Sequence, residues 1–171
     1  MNNITIYTDG SCRGNPGPGG WGLIVVNNET NVLIEAASGT SESTTNNEME
    51  ITAIVTALKR YGVDEDSFHY PVVYTDSNYA FKTFTEWMQG WKRNGWKRPK
   101  NQPIANLELI QLYDELWENG KRIELRWVRG HNGNRWNEVA DKLATGKISV
   151  GDINDKYFNL TVKMNESFLK N

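Results

Sequence analysis

Two short segments of the chain carry the same chemistry. Tyr7-Thr8-Asp9 and Tyr74-Thr75-Asp76 each close an apolar, strand-like run, and a small residue, Gly10 or Ser77, follows each aspartate. An aspartate at the carboxyl end of a buried strand has left the hydrogen-bonded ladder but still lines the core wall. Open sheets with helical crossovers bind ligands at that edge. Two more acids have the spacing to join them. Glu50 precedes Ile54, Ala57 and Leu58 by four, seven and eight residues, which puts it on the apolar face of a helix. Asp141 precedes Ala144 and Ile148 by three and seven, at or near the buried edge of another helix. Two carboxylates about 4 Å apart repel by roughly 4 kcal/mol at an effective dielectric of about 20. Several such pairs would consume most of a folding stability of about 5–15 kcal/mol. A cluster of this kind either takes up protons or holds a cation, and oxygen-only ligands favour a hard ion, Mg²⁺ or Mn²⁺. Taken singly, each acid has a plainer reading. A strand-end aspartate caps a turn, Glu50 pairs with an arginine, and Asp141 is an ordinary acid on an amphipathic edge.

The elements that must position these acids follow from periodicity. Residues 4–9 alternate as a strand, and the glycines and prolines of residues 14–20 are expected to continue neither strand nor helix. Residues 21–26 and 32–37 read as two further strands, with a hairpin connection at 27–31. From Thr45 the period becomes helical through Ile51, Ile54, Val55 and Leu58, with Thr45 or Asn46 as the cap. Residues 71–75 read as a buried strand and 78–88 as a helix. Residues 107–117 form a clearer helix, with Leu109, Leu112, Tyr113 and Leu116 on one side and Gly120 as the stop. Residues 123–128 alternate as a strand, and 134–144 form the last helix. Three strands followed by alternating helices and strands predict an α/β fold, a mixed sheet flanked by helices. The first three strands are expected to be antiparallel, and the 71–75 strand parallel to its neighbour after a helical crossover. The expected division is a single catalytic domain over residues 1–148 and a polar, weakly patterned tail over 149–171, packed on the domain or trailing from it.

At 171 residues the chain fits one ordinary domain, and 38% hydrophobic with 23% charged residues argues against a disordered one. A net charge of −2 does not mark a nucleic-acid binder, so any such partner needs a local patch. Residues 91–100 supply one: Lys92, Arg93, Lys97, Arg98 and Lys100 occur without an acid, interleaved with Trp91 and Trp96 and preceded by Trp87. Flat rings pack on sugars while cations meet phosphates, although a charge run is more often plain solvated surface. Cys12 is the one cysteine, which rules out an intrachain disulfide and argues against a cysteine zinc site. No stretch approaches the roughly 20 apolar residues needed to cross a bilayer, and the first residues lack the pattern of a signal peptide. The expectation is a cytoplasmic monomer in a reducing compartment, with no membrane partner.

Four ordered motifs give these residues a common source. They are Tyr7-Thr8-Asp9-Gly10-Ser11-Cys12 with Gly14-Asn15-Pro16-Gly17-Pro18-Gly19-Gly20-Trp21-Gly22, then Thr45-Asn46-Asn47-Glu48-Met49-Glu50, then Tyr74-Thr75-Asp76-Ser77, and last Val128-Arg129-Gly130-His131. Across residues 4–143 the sequence resembles the type 1 ribonuclease H family, and residues 91–100 are similar to the basic protrusion of its bacterial-type members. The resemblance implies the ribonuclease H-like fold, a five-stranded mixed sheet flanked by helices. It implies endonucleolytic hydrolysis of the RNA strand of an RNA–DNA hybrid, leaving 5′-phosphate and 3′-hydroxyl ends. It assigns Asp9, Glu50, Asp76 and Asp141 as catalytic acids and ligands of two Mg²⁺ ions, with Mn²⁺ a possible substitute. One ion would activate a water and the other would stabilise the leaving oxygen. Glu48 stays outside that set, as a first-turn acid facing the helix dipole. His131, in a glycine- and asparagine-rich loop, would move a proton or help release product; His69 has no motif around it.

A hybrid duplex presents a wide, shallow minor groove with 2′-hydroxyls, which short polar side chains read. Asn15, Asn46, Asn47 and Asn78 have that character, and by resemblance Cys12, Asn15, Asn46 and Asn78 lie at or near groove contacts. Asn78 departs from the family's more usual glutamine. For any one of these asparagines, capping a helix or forming a turn is the commoner role. Thr45 resembles a residue that holds a DNA-strand phosphate, and Trp87, Trp91, Lys92, Arg93, Trp96, Lys97 and Arg98 the segment that grips the DNA strand. Two other readings remain at this level. One is another carboxylate-cluster nuclease on the same scaffold, such as a junction resolvase or transposase core. The other is a hybrid-binding module without catalysis.

Overall fold

The computed structural model describes residues 3–130 and 134–153. Its centre is a five-stranded sheet in the order β3-β2-β1-β5-β7, built from β1 (Ile4–Cys12), β2 (Gly17–Asn27), β3 (Val32–Thr44), β5 (Val72–Thr75) and β7 (Glu124–Trp127). The first three strands form an antiparallel meander, and β5 and β7 add in parallel beside β1. β4 (Val63–Asp64) and β6 (Lys121–Arg122) pair separately as a two-residue ribbon, too short for any periodicity to announce. The mixed sheet with an antiparallel start is the architecture the sequence predicts.

Alternation along the strands gives the sheet two apolar faces. Ile6, Leu23, Val25 and Val73 pack against α1 (Asn46–Tyr61) and α4 (Leu107–Glu118), through Ile51, Ile54, Leu58 and Ile110. Ile24, Val26 and Leu33 pack against α5 (Arg135–Thr145), through Trp136, Val139 and Leu143. Thr45 is the cap of α1: its hydroxyl accepts the Glu48 N–H at 3.1 Å. Asn134 caps α5, its side chain accepting the N–H groups of Trp136 and Asn137. α6 (Val150–Ile153) brings the fully buried Ile153 into the α5-side core, so the start of the expected tail packs on the domain. Residues 154–171 of that tail lie outside the described residues. Among the described residues no helix is long and apolar enough to cross a membrane.

Two expected boundaries are corrected. The glycine-rich stretch does not stay a loop: β2 begins at Gly17, and β3 runs on to Thr44 beside it. These glycines serve close packing. A Cβ on Gly20 would lie 2.7 Å from the Ala144 carbonyl oxygen, and one on Gly22 2.6 Å from Leu143 Cβ, so α5 rests directly on bare backbone. Pro18 falls at the register shift between Gly17 and Gly19, where a missing N–H costs no ladder bond. The expected helix over 78–88 is instead α2 (Asn78–Lys82), a π-helical turn (Thr83–Trp87) and α3 (Met88–Arg93). Thr83 and Thr85 hydroxyls donate to the carbonyls of Tyr79 and Phe81 at 2.7 and 2.6 Å, and such back-bonding bends and loosens a helix.

One contact fixes how the α1 face meets the end of β1. A Cβ on Gly10 would lie 2.3 Å from the Glu50 nitrogen and 2.4 Å from the Met49 carbonyl carbon. Gly10→Ala therefore has to push α1 off the sheet. It is expected to cost about 1–3 kcal/mol, measured by urea denaturation; stability equal to the parent would show that α1 does not rest on Gly10.

Candidate active site

Parallel register between β1 and β5 sets Tyr7 against Tyr74, and the two rings stack with centroids 5.4 Å apart. Two residues later on each strand the same register brings Asp9 and Asp76 side by side. α1 adds Glu50 over Gly10, and carboxylate oxygens of Asp9, Glu50 and Asp76 all lie within 4.8 Å of one another. Asp9 and Glu50 are only 4% and 3% exposed. Asp141, from α5, lines the same cavity of about 360 Å³ together with Gly10, Ser11, Asn46 and Ser77, and its side chain reaches Asp9 for a hydrogen bond. All four acids named from the sequence converge.

The electrostatics of the cluster are those of crowded, buried anions. Burial is the main cause that pushes the Asp9 carboxyl up to about 8; the neighbouring Asp76 charge adds to it, and the Gly10 N–H, donating to Asp9 Oδ1 at 2.9 Å, opposes it. Glu50 is raised well above the carboxylate range, first by burial and then by the charges of Asp9 and Asp76. A hydrogen bond between the Asp9 and Glu50 side chains requires a proton between two acids. The other Glu50 oxygen, Oε2, is buried with no hydrogen-bond partner among the described residues. An orphaned carboxylate oxygen, three acids within ligand distance and an almost wholly polar cavity suit a hard divalent cation. Protons hold the cluster together without one, and a bound cation would displace them.

The other expected residues divide into groups. Asn46 lines the acid cavity, and its backbone N–H donates to Asn15 Oδ1 at 3.0 Å, so Asn15 also helps tie down the start of α1. The Cys12 thiol donates to the Thr44 carbonyl at 3.1 Å. Asn78 opens α2, capped by Ser77, whose hydroxyl accepts the Ala80 N–H. Asn47 lines a second cavity, of about 480 Å³, with Tyr79, Trp87, Trp91, Arg98 and Ile104. Tyr79, Trp87 and Trp91 form a run of edge and tilted contacts with centroids 5.8 and 5.9 Å apart. Trp96 packs partly on the α1-side core.

Lys92 differs from its basic neighbours. Its ammonium lies 3.0 Å from the buried Asp114 and 3.1 Å from Glu118, pinning α3 to α4. Among the described residues Arg93, Lys97 and Arg98 make no ion pair. Glu48 accepts the Thr44 hydroxyl at 2.8 Å and stays out of the cluster. His131 lies outside the described residues. His69 sits against the 95%-exposed Phe68, away from the acid cavity.

Sequence reasoning passed over Ser11, Tyr79 and Trp127. The Trp127 indole N–H donates to the Asp76 carbonyl at 3.2 Å and so steadies the turn that carries the acid. No motif marks Tyr79, because the π-helical turn between it and Trp87 breaks the regular helical spacing.

Comparison with known proteins agrees with this geometry. The RNase H family model matches residues 1–149. The ribonuclease H of Albidiferax ferrireducens is 45% identical over 154 residues, covering 88% of this chain and 97% of the relative. The crystal structure of LC9-RNase H1, described as a type 1 RNase H with the type 2 active-site motif, is 33% identical with a TM-score of 0.69, covering 87% of this chain and 72% of that one. LC11-RNase H1, solved in complex with an RNA/DNA hybrid, shares the fold at 24% identity and a TM-score of 0.60, covering 84% of this chain and 97% of that one. A five-stranded mixed sheet with clustered acids at its carboxyl edge already places the chain among metal-dependent nucleases of the ribonuclease H fold. The chain belongs to the ribonuclease H family and is a type 1 enzyme of it.

The buried acids set a pH dependence in metal-free protein. In the unfolded chain Asp9 ionises near 3.8; in the native state it keeps its proton to about 8. The native state therefore binds more protons across that window, and stability present at low pH is lost as pH rises from 3.8 to about 8. Asp9→Asn, which cannot ionise, is expected to melt several degrees higher than the parent at pH 8–9 in EDTA and to flatten the profile. Parallel melting curves from pH 5 to 9 would contradict this.

Proposed function

We propose that the chain hydrolyses the RNA strand of RNA–DNA hybrids endonucleolytically, leaving 5′-phosphate and 3′-hydroxyl ends. The observation that carries this reading is the convergence of four acids from β1, α1, α5 and the end of β5 on one open, polar cavity. Asp9, Glu50, Asp76 and Asp141 would hold divalent cations there. Bound as a pair, Mg²⁺ (or Mn²⁺) supplies water activation and charge neutralisation at the leaving oxygen. His131, four residues after the end of β7 in sequence, is assigned the proton transfer or product-release role.

The chain's own residues do the positioning. Asn46 sits at the lip of the acid cavity and Asn47 at the aromatic one, so adjacent residues bridge the two. That spacing suits a duplex laid across its minor groove, the RNA strand over the acids and the DNA strand over the tryptophans. Cys12, Asn15, Thr45 and Asn78 are assigned to the same path. Trp87 and Trp91 offer flat faces to sugars, and Arg93, Lys97 and Arg98 meet phosphates. Lys92 supports them by fixing α3. LC11-RNase H1 holds such a hybrid on the same fold, which supports the substrate assigned here. The protein is taken to act in the cytoplasm as a monomer, with residues 1–148 as the catalytic unit.

Labelled RNA–DNA hybrid with Mg²⁺ is expected to be cut in its RNA strand alone, with EDTA and Asp9→Asn abolishing the reaction and double-stranded RNA and DNA left intact. Binding without cutting would make the chain a hybrid-binding module; cutting of DNA duplex would assign it to another nuclease class. The basic segment has its own signature. Neutralising Arg93, Lys97 and Arg98 together is expected to raise KM about 10-fold or more and to reduce the salt slope of binding by about 2–3. Lys92→Met is expected to lower the melting temperature, with a smaller change in salt slope. Equal slopes for parent and triple variant would remove the handle role.

A further inference from the structure

The acid cavity has a second neighbour on the side away from the tryptophans. A groove of about 430 Å³ begins at Ser11, which also lines the acid cavity, and continues past Arg13, Gly19 and Thr40 to Gly146 and Lys147. The sheet order puts the two flanks on opposite sides. The aromatic cavity involves α1 and the helices beside β5 and β7, whereas this groove lies over the ends of β1, β2 and β3 and the carboxyl end of α5.

Its charge differs from that of the acid cavity. Arg13 and Lys147, 134 positions apart in sequence, are both exposed, and among the described residues neither is ion-paired. Among the described residues no acid lines the groove. Both residues line the one groove, and packing fixes the backbone that carries them: Arg13 N–H donates to the Pro18 carbonyl at 2.8 Å, pinning the strand turn, while Gly20 lets the Ala144 carbonyl settle against β2. The Lys147 N–H donates to the Lys142 carbonyl at 2.9 Å, so the chain turns back at Gly146 and carries Lys147 to the groove. The hydroxyls of Ser11 and Thr40 and the open backbone at Gly146 add polar groups to a lining that also includes Pro18 and Ala144.

From this arrangement we infer that Arg13 and Lys147 form a phosphate subsite for the cleaved strand, on the side of the scissile bond opposite the basic segment. The inference rests on the hybrid-nuclease reading above. A strand crossing the acids with one phosphate at the cluster must leave the cavity somewhere, and the Ser11 edge opens directly into this groove. The other strand is already taken by the tryptophans. A net charge of −2 and four clustered acids repel the backbone as a whole. Cations on both sides of the cluster offset that repulsion and hold the strand taut over it.

The test pairs a double variant with neutralised phosphates. For Arg13→Ala with Lys147→Ala, KM on the hybrid is expected to rise about 10-fold with kcat changing less than twofold, and the salt slope to fall by about 1–2. Single methylphosphonate linkages are then walked along each strand. One or two RNA positions beside the cut are expected to weaken the parent by a similar factor and the double variant hardly at all. Unchanged KM and salt slope in a normally folded double variant, with the parent cutting hybrid, overturn the subsite and leave the nuclease reading intact. The coupled position falling in the DNA strand overturns it as well. A parent that leaves hybrid uncut overturns the nuclease reading, and the subsite with it.

Discussion

Crowding of buried carboxylates is the constraint on which the rest of this fold depends. Asp9 and Glu50 are nearly inaccessible to solvent, and Asp76 lies within ligand distance of both. Ionised together they would strain the core; protonated or bridged by a cation they bind it. The cost is tolerable because the cluster sits at one edge of the sheet, where the cavity opens to water. The apolar clusters on the two sheet faces carry stability elsewhere, through residues such as Ile54, Leu58, Trp136 and Leu143.

Delivering acids from four elements to one point demands close backbone approach. Gly10 admits α1 and with it Glu50, and Gly20 and Gly22 admit α5 and with it Asp141. At all three positions a single methyl group would meet backbone or Cβ atoms at less than 3.0 Å. The glycine-rich strand is therefore part of the site's construction, although none of its glycines takes part in chemistry. Trp127 and Ser77 act in the same way on the Asp76 side, holding the turn through a carbonyl and a helix cap.

Charge is distributed with similar economy. A chain with net charge −2 meets a polyanion only through local patches. The basic segment is one, held in place by the Lys92–Asp114 and Lys92–Glu118 pairs at the foot of α3. In that arrangement one lysine of the run spends its charge on structure, and the neighbouring cations remain available to a ligand.

Much of this was legible in the sequence. The paired Tyr-Thr-Asp segments, the helical spacing of Glu50 and the order of strands and helices determined the sheet, its antiparallel start and the identity of the converging acids, because periodicity reports which face of an element is buried. The basic segment was legible as composition, and the four motifs carried the family. Tertiary structure decided what depends on contacts between distant residues. It made strand out of Gly17–Gly20, since a glycine run reads as a loop unless a helix is known to press on it. It tied Lys92 to acids 22 and 26 positions away, and it set Ser11, Arg13 and Lys147 around one groove. Local sequence records propensity and burial; it does not record which partner a side chain meets across the fold, and those meetings assigned the roles.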